Sequence, residues 1–505
     1  MIFICGIFAR TGHLMDDEMD RILHSMEHRG PDEGKTVQLD QFHLGHQRLS
    51  IIGLDDGIQP IGNEDQHKWV VVNGEIYNYP QLKPQYEDKH TFLTESDSEI
   101  VLKVLEEDGV DGIKKLDGMF AFFFADEDNH SFVAARDTLG IKPLYYGKDQ
   151  HGKYMFASEM KTLYLITEEV NEFPAGHYYT PETGFVCYRQ IERPHQEEIG
   201  QTDVDQCCSA INQYLENAVK KRLLSDVEVG VLLSGGLDSS LIAAIAKKHH
   251  EGDPPLKSFC VGSEGSEDIL RAREVAEAIG TDHYEYIYTK EELVEVIRTV
   301  IYHLESYEPS LVRSALPNYF VSKLASKHVK VILSGEGADE LFAGYDYLTD
   351  FHSTDMLNDE IIRIINSLHN INLQRADRMS MAHSLELRVP FLDLELIDEA
   401  LKIPVDLKLH KDGQMEKWIL RKSFDGVIPE SVLWRKKEEF SAGSGALDIL
   451  EQYANETISD HELLTYQQEA EIELRTKQEC LYYKIFKELF PSKSALETVG
   501  KWATA

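Results

Sequence analysis

Hydrophobic and polar positions divide the chain into two regimes. Up to about residue 190, short apolar runs alternate with turn residues, which predicts strands. Residues 70–78 (Val-Val-Val-Asn-Gly-Glu-Ile-Tyr-Asn) read as a strand running into an Asn-Gly turn. Residues 118–126 form a second strong strand and 130–137 a third, with a turn and strand over 140–146. Helices fit 16–27 and 97–107. A polar, acidic stretch around 190–206, carrying Pro194 and Gly200, reads as a linker. Beyond it, Ile211, Leu215, Ala218, Val219 and Leu223 recur at helical spacing. Apolar runs at 229–233, 256–262 and 328–333 then alternate with helical patterns at 268–279 and 291–303. That alternation predicts a doubly wound parallel sheet. The expected division is a first domain over 1–190, a linker over 191–207 and a second domain over 208–505.

One stretch in the second regime carries chemistry. Ser234-Gly235-Gly236-Leu237-Asp238-Ser239-Ser240 lies between the apolar run ending at Leu233 and the helix-forming Leu241–Ala246. Two glycines let backbone N–H groups turn inward as an anion nest, and the helix N-terminus adds partial positive charge. Asp238 makes sense there if Mg²⁺ bridges it to phosphates. No Gly-Lys-Ser/Thr closes the loop, so it is not a Walker A motif. The apolar run 328–333 enters Ser334-Gly335-Glu336-Gly337-Ala338-Asp339-Glu340, repeating the strand, glycine, acid and helix order. Adjacent strand ends would bring both turns to the carboxyl edge of one sheet.

Charge sharpens this picture. Across 505 residues, 51 basic and 88 acidic side chains give a formal net charge of −37, which argues against nucleic acid or an anionic membrane as partner. Against that background Arg435-Lys436-Lys437 is a conspicuous cation cluster, suited to an anionic substrate. The six cysteines lack metal-ligand spacing and suit a reducing compartment; cytoplasm is the default. The apolar Met1–Phe8 is short and meets Arg10 at once, so neither a signal peptide nor a membrane span is expected.

The Ser234–Ser240 loop resembles the pyrophosphate-binding loop of ATP pyrophosphatases. Cys5-Gly6-Ile7-Phe8, His28-Arg29-Gly30-Pro31-Asp32, Arg48-Leu49-Ser50-Ile51-Ile52, Asn73–Asn78 and Ser96-Asp97 resemble the N-terminal-nucleophile glutaminase of class II amidotransferases. With Tyr345, Arg388–Asp393 and Arg435–Phe440 added, the chain is similar to the glutamine-hydrolysing asparagine synthetases up to about Pro491. The resemblance implies an N-terminal-nucleophile αββα sandwich followed by a doubly wound ATP-pyrophosphatase domain. It implies aspartate, glutamine and ATP as substrates, with Mg²⁺; a homodimer is an open assembly state.

The resemblance also implies residue roles. Cys5 would be the nucleophile, its own α-amino group the base, and Asn73 with the Gly74 N–H the oxyanion hole. Arg48, within Arg48–Ile52, would pair with the glutamine carboxylate, and Glu75 and Asp97 would take its ammonium. Ser234, Gly235, Gly236, Ser239 and Ser240 would hold pyrophosphate and Asp238 the metal. Leu233 and Val261 would seat adenine, and Ser334-Gly335 would line the nucleotide. Glu336 would serve intermediate formation and ammonia deprotonation; Arg313 and Lys437 would neutralise phosphate charge.

One departure bears on the glutaminase. Ile2-Phe3-Ile4 precede Cys5, and an internal Cys5 has an acylated nitrogen that cannot act as base. Cleavage before Cys5, translation from Ile4 through a non-AUG codon, or a silent glutaminase with free ammonia as nitrogen source are the three explanations, the first two being favoured.

Overall fold

A computed structural model of the chain describes residues 3–51, 56–195, 203–250, 254–409, 415–437, 440–470 and 472–501. Two sheets organise them. The first is antiparallel throughout and holds twelve strands among the described residues. At its centre are β1 (Phe3–Thr11), β2 (Phe42–Ser50), β3 (Lys68–Ile76) and β4 (Gly118–Asp126). β1 pairs with β2 and β3, and β3 pairs with β4. Both faces of this sheet are covered, which is why β4 reads as an unbroken apolar run. Val70 and Val72 pack with Phe120, Phe122 and Phe124 under the helix Glu99–Asp108. Val71 points the other way, into a cluster with Ile7, Leu44 and Phe123.

The second sheet is parallel, with spatial order β7-β6-β5-β8-β9. Its strands are β5 (Val229–Leu232), β6 (Lys257–Gly262), β7 (Asp282–Ile287), β8 (Val331–Leu333) and β9 (Glu386–Arg388). The strand order reverses between β5 and β8, so a crevice opens beyond their carboxyl ends. Of the flanking helices, α1 (Leu237–His249) follows β5, α2 (Pro309–Ala325) precedes β8, and α3 (Asn372–Met381) precedes β9. The expected helix over 291–303 is interrupted at Val296, giving Lys290–Glu295 and Ile297–Leu304. The helix expected after the linker, over 208–223, begins earlier, at Val204, inside the expected linker, where the Asp203 side chain accepts from the Asp205 and Gln206 N–H groups. Residues 196–202 of the linker and Ile52 lie outside the described residues.

The Asn73-Gly74 turn is a correction. β3 runs through both residues, with Asn73 opposite Ala121 and Gly74 opposite Phe120. Gly74 has φ 145°, and a Cβ there would collide with the Met119 carbonyl oxygen. The glycine permits a close strand approach instead of a reversal.

The two sheets meet across a seam of buried ions. Arg29, fully buried, donates to Glu159 Oε1 at 3.0 Å and to Asp377 of α3 at 2.9 and 3.2 Å. Arg378 of α3 donates to Glu305 Oε2 at 3.0 Å and to the Ser158 carbonyl at 3.1 Å. Burial opposes ionisation of Asp377, yet Arg29 and Lys142 hold its carboxyl below the usual range. Removing one partner from such a cluster strands the others in low dielectric. Arg29→Met is therefore expected to destabilise folding by about 3–5 kcal/mol, read by chemical denaturation at pH 7.

Candidate functional site

Two side-chain assemblies lie on either side of this seam. In the first sheet, Cys5 is in β1 with its backbone opposite Arg48 of β2, and Phe3 is opposite Gly74 of β3. The Cys5 side chain lies outside the described atoms. Asn73 is fully buried, and its Nδ2 donates to Ser158 Oγ at 3.3 Å. Ser158 Oγ also accepts from the Ile7 N–H, so one hydroxyl ties β1 to the Asn73 amide. Arg48 is buried with Nη1 3.2 Å from Glu33 Oε2. Leu49 and Ile51 are core residues, and the Ser50 N–H donates to Asp32 Oδ2 at 2.7 Å.

The acids expected beside Asn73 are present and strongly perturbed. Asp97 is fully buried and Oδ2 accepts from the Ile76 N–H at 2.7 Å. Burial, with Glu386 adding to it, pushes the Asp97 carboxyl up to about 7. Glu75 is also fully buried, and Oε1 accepts from Arg388 Nη2 at 2.9 Å. Burial raises its carboxyl well above the ordinary range, Arg388 opposes that rise, and Glu386 and Asp97 reinforce it. Arg388 and Glu386 come from β9 of the other sheet and bond each other there. Glu75 and Glu386 share the Arg388 guanidinium, and the raised Asp97 and Glu75 carboxyls would ionise most readily beside a cationic ligand group. Glu386 and Arg388 as parts of this assembly have no local sequence signal, being more than 280 residues from Asp97.

Beyond the second sheet's switch point lies a cavity of about 460 Å³. Leu233, Ser234, Gly236, Asp238, Ser239, Val261, Ser334, Gly335, Glu336 and Lys437, all expected at a nucleotide site, line it. β5 and β8 are register partners, Val231 opposite Leu333, which sets the two glycine loops side by side. Packing is close: a Cβ on Gly335 would lie 2.8 Å from the Ser239 nitrogen. Gly235 does not line the cavity; at φ 74° it makes the turn that aims the loop. Ser240 lies behind, its hydroxyl donating to the Gly236 carbonyl at 2.6 Å. Ser234 and Ser239 hydroxyls are 3.0 Å apart beside the N-terminus of α1, a polar anion seat.

Charge is paired across the cavity floor. Lys417 Nζ lies 2.5 Å from Asp238 Oδ2 and 2.6 Å from Asp339 Oδ1, and Lys437 Nζ is 2.6 Å from the same Asp339 oxygen. Burial opposes the charge on Asp339, but Lys417 and Lys437 hold its carboxyl well below the usual range. Burial pushes Asp238 up, with Lys417 opposing and Asp339 adding to the rise. Lys417 adopts a left-handed backbone, φ 56°, which costs on the order of 1 kcal/mol and turns its side chain between the two acids. Lys417 and Asp339 were not singled out from the sequence, although Asp339 follows the second glycine loop.

Arg313 departs from expectation. It sits on α2, where Nη1 donates to Gln478 Oε1 at 2.9 Å and Nη2 to Ser310 Oγ at 3.0 Å. Ser310 lines the cavity and Arg313 does not. The guanidinium is directed sideways by Gln478, so the cavity's cations are Lys417, Lys437 and Arg375 together with Arg421, Arg435 and Lys436.

Comparison with known proteins matches this two-part geometry. Residues 210–357 and 349–504 match the asparagine synthase family, and residues 4–199 match the glutamine amidotransferase domain. The chain belongs to the asparagine synthase family. It is 40% identical over 490 residues to asparagine synthetase B [glutamine-hydrolyzing] of Escherichia coli, covering 94% of this chain and 88% of that one. It is 38% identical to a probable asparagine synthetase [glutamine-hydrolyzing] of Schizosaccharomyces pombe, covering 99% and 96% of the two chains. Asparagine synthetase [glutamine-hydrolyzing] 1 of Arabidopsis thaliana is 39% identical, with 99% and 89% covered.

For this family member the raised Asp97 carboxyl carries a stability cost. Between its unfolded pKa near 4 and about 7, the folded state keeps a proton that the unfolded state has lost, so stability falls as pH rises. Asp97→Asn is expected to remove that fall, by up to about 4 kcal/mol at pH 8 relative to pH 4. Denaturation midpoints of both proteins across that pH range check it.

Proposed function

We propose that the protein makes asparagine from aspartate, ATP and ammonia, with the ammonia drawn from glutamine in the first sheet's site. The aspartate β-carboxylate attacks the α-phosphorus of ATP, and the bond to pyrophosphate breaks. Ammonia then attacks the resulting β-aspartyl-AMP, AMP leaves with its bonding electrons, and the nitrogen releases one proton to a base. The observation that carries this reading is the cavity at the β5–β8 switch point, where a Ser/Gly anion seat faces Glu336 and several cations. Ser234, Gly236 and Ser239 would hold the pyrophosphate, and Lys437 with Lys417 would balance its charge.

Mg²⁺ belongs to this proposal. Asp238 Oδ1 is buried without a hydrogen-bond partner, and Asp339 faces it across Lys417, so the donor set fits a hard cation. Bound there, the ion would neutralise the phosphate oxygens as pyrophosphate departs. Arg48, Asn73, Gly74, Glu75 and Asp97 would bind and polarise glutamine for attack by Cys5. Among the described residues no helix is long and apolar enough to cross a membrane, and Cys187, Cys207, Cys208, Cys260 and Cys480 form no disulfide. A cytoplasmic enzyme of small-molecule substrates, with a homodimer as a candidate assembly, accords with these features.

The second reading, ammonium as sole nitrogen source, is favoured by Phe3 and Ile4 lying in β1 ahead of Cys5. N-terminal sequencing of the active protein separates the two: glutamine use goes with a free α-amino group on Cys5. Assays of AMP, pyrophosphate and asparagine test the synthetase itself. Asp238→Ala is expected to abolish synthesis with either nitrogen source. Asn73→Ala, which removes the side-chain donor, is expected to lower glutamine-dependent synthesis roughly 10²-fold or more while sparing the ammonium-dependent reaction. Asparagine made normally by Asp238→Ala would refute the assignment of the glycine loop.

A further inference from the structure

Glu336 lines the cavity outside the Asp238–Asp339–lysine cluster, as Asp268, Glu308 and Asp346 also do, and Arg375 is the cation that addresses it. Arg375, on α3, donates through Nη2 to Glu336 Oε1. Both residues line the cavity, and Arg375 is 7% exposed. Its Nε is buried without a hydrogen-bond partner, so Glu336 is the side chain toward which this guanidinium is committed. Burial pushes the Glu336 carboxyl up, Arg375 opposes that rise, and Asp339 and Asp238 add to it. Glu340, nearby, is engaged elsewhere, accepting from the Tyr345 hydroxyl at 2.5 Å and from Asn372 Nδ2 at 3.0 Å.

The helix that carries Arg375 is unusually well anchored. Asn372 ties its start to Glu340, Gln374 donates to the Leu304 carbonyl at 2.7 Å, and Asp377 and Arg378 enter the buried seam. Arg375 therefore projects from a backbone whose neighbours on both sides are fixed, the condition for holding a partner in one orientation.

We propose that Arg375 is a positioning residue for ammonia capture, holding the Glu336 carboxylate where it accepts the proton released as nitrogen bonds to the β-aspartyl carbonyl carbon. The step balances: the C–N bond forms, the C–O bond to AMP breaks, AMP takes the electron pair and Glu336 takes one proton. The inference rests on the asparagine-forming reading of the cavity. Glu336 is expected to serve both half-reactions, but formation of β-aspartyl-AMP transfers no proton, so loss of its orientation should weigh on the ammonia step and the two half-reactions should separate in a variant.

The test uses the full-length protein with ammonium as nitrogen source, which leaves Cys5 out of the measurement. In Arg375→Met, aspartate-dependent ATP–pyrophosphate exchange is expected to stay within about 3-fold of the parent, while asparagine formation falls about 10²-fold, the scale of general-base catalysis. Pyrophosphate released per asparagine rises accordingly. Arg375→Lys, which keeps a charged donor, is expected to recover most of that ratio. In a Glu336→Gln background, Arg375→Met should add less than about 3-fold, because the two residues act as one unit. Should Arg375→Met fail to fold, Arg375→Gln reads the same pyrophosphate-to-asparagine ratio. Loss of exchange together with a raised KM for aspartate would overturn the proposal and make Arg375 a substrate ligand; additive losses with Glu336→Gln would also overturn it. A parent protein that forms neither AMP nor asparagine would instead refute the functional reading itself.

Discussion

The relation between the two halves depends on ions removed from water. Arg29, Arg378 and Arg388 are each no more than 1% exposed, and every one has a carboxylate partner on the opposite side of the seam or a partner that bridges it. A guanidinium in such surroundings needs carboxylate or carbonyl acceptors close by, and those acceptors constrain the geometry around it. Glu305 shows the same economy from the other side. It accepts from Arg378 and from the Met160 and Lys161 N–H groups at 3.0 and 2.7 Å, so a second-sheet acid stitches a first-sheet turn. A slipped or rotated arrangement of the sheets would leave several of these charges unpaired at once.

The seam also gives the two candidate sites a shared member. Arg388 donates to Glu75 through its side chain, while its carbonyl accepts from the Ser334 N–H at 3.0 Å. Its Nη1 donates to the Arg222 and Leu224 carbonyls at 2.7 Å, and its Nε to Glu386. A single short strand, β9, thus borders the glutamine-side acids with one residue and the nucleotide loop with the same residue's backbone. α3 does the comparable thing with Arg375 on the cavity and Asp377 on the seam. Physical continuity between the two sites runs through β9, and α3 links the cavity to the seam; both elements are buried.

What could be read from the chain alone follows from how local each signal is. The Ser234 loop was legible because a strand, two glycines, an acid and a helix lie within about a dozen residues, and the backbone itself makes the anion seat. The parallel sheet was legible from its alternation, and the partnership of β5 and β8 from the repeated glycine loop. Asn73-Gly74 was misread in its local form, since the dipeptide that favours hairpins also permits a close approach to the Met119 carbonyl within an uninterrupted strand. Lys417, Arg375, Glu386 and Arg388 were opaque as site residues because their partners are far away in sequence, and a lone Lys or Arg carries no spacing pattern. Arg313 shows the converse: motif context placed it on phosphate, but Gln478, from a helix 165 residues away, decides where its guanidinium goes.

The chain's acidity takes on meaning at the cavity. A net charge of −37 spread over the surface would repel ATP and aspartate alike, and screening reduces that repulsion beyond about 8–10 Å at ordinary ionic strength. Close to the site, the local balance is what a substrate meets. Lys417 and Lys437 are largely shielded from water, and each already serves an acid, so they add little free positive charge before ligands arrive. A divalent ion at Asp238 and Asp339 would change that balance: the carboxylates would turn to the metal, releasing both ammonium groups toward phosphate oxygens. The lysines are held by the same acids that would take the proposed metal. Positive charge would then be freed beside the Ser/Gly anion seat once those acids are engaged, where it would assist departure of pyrophosphate.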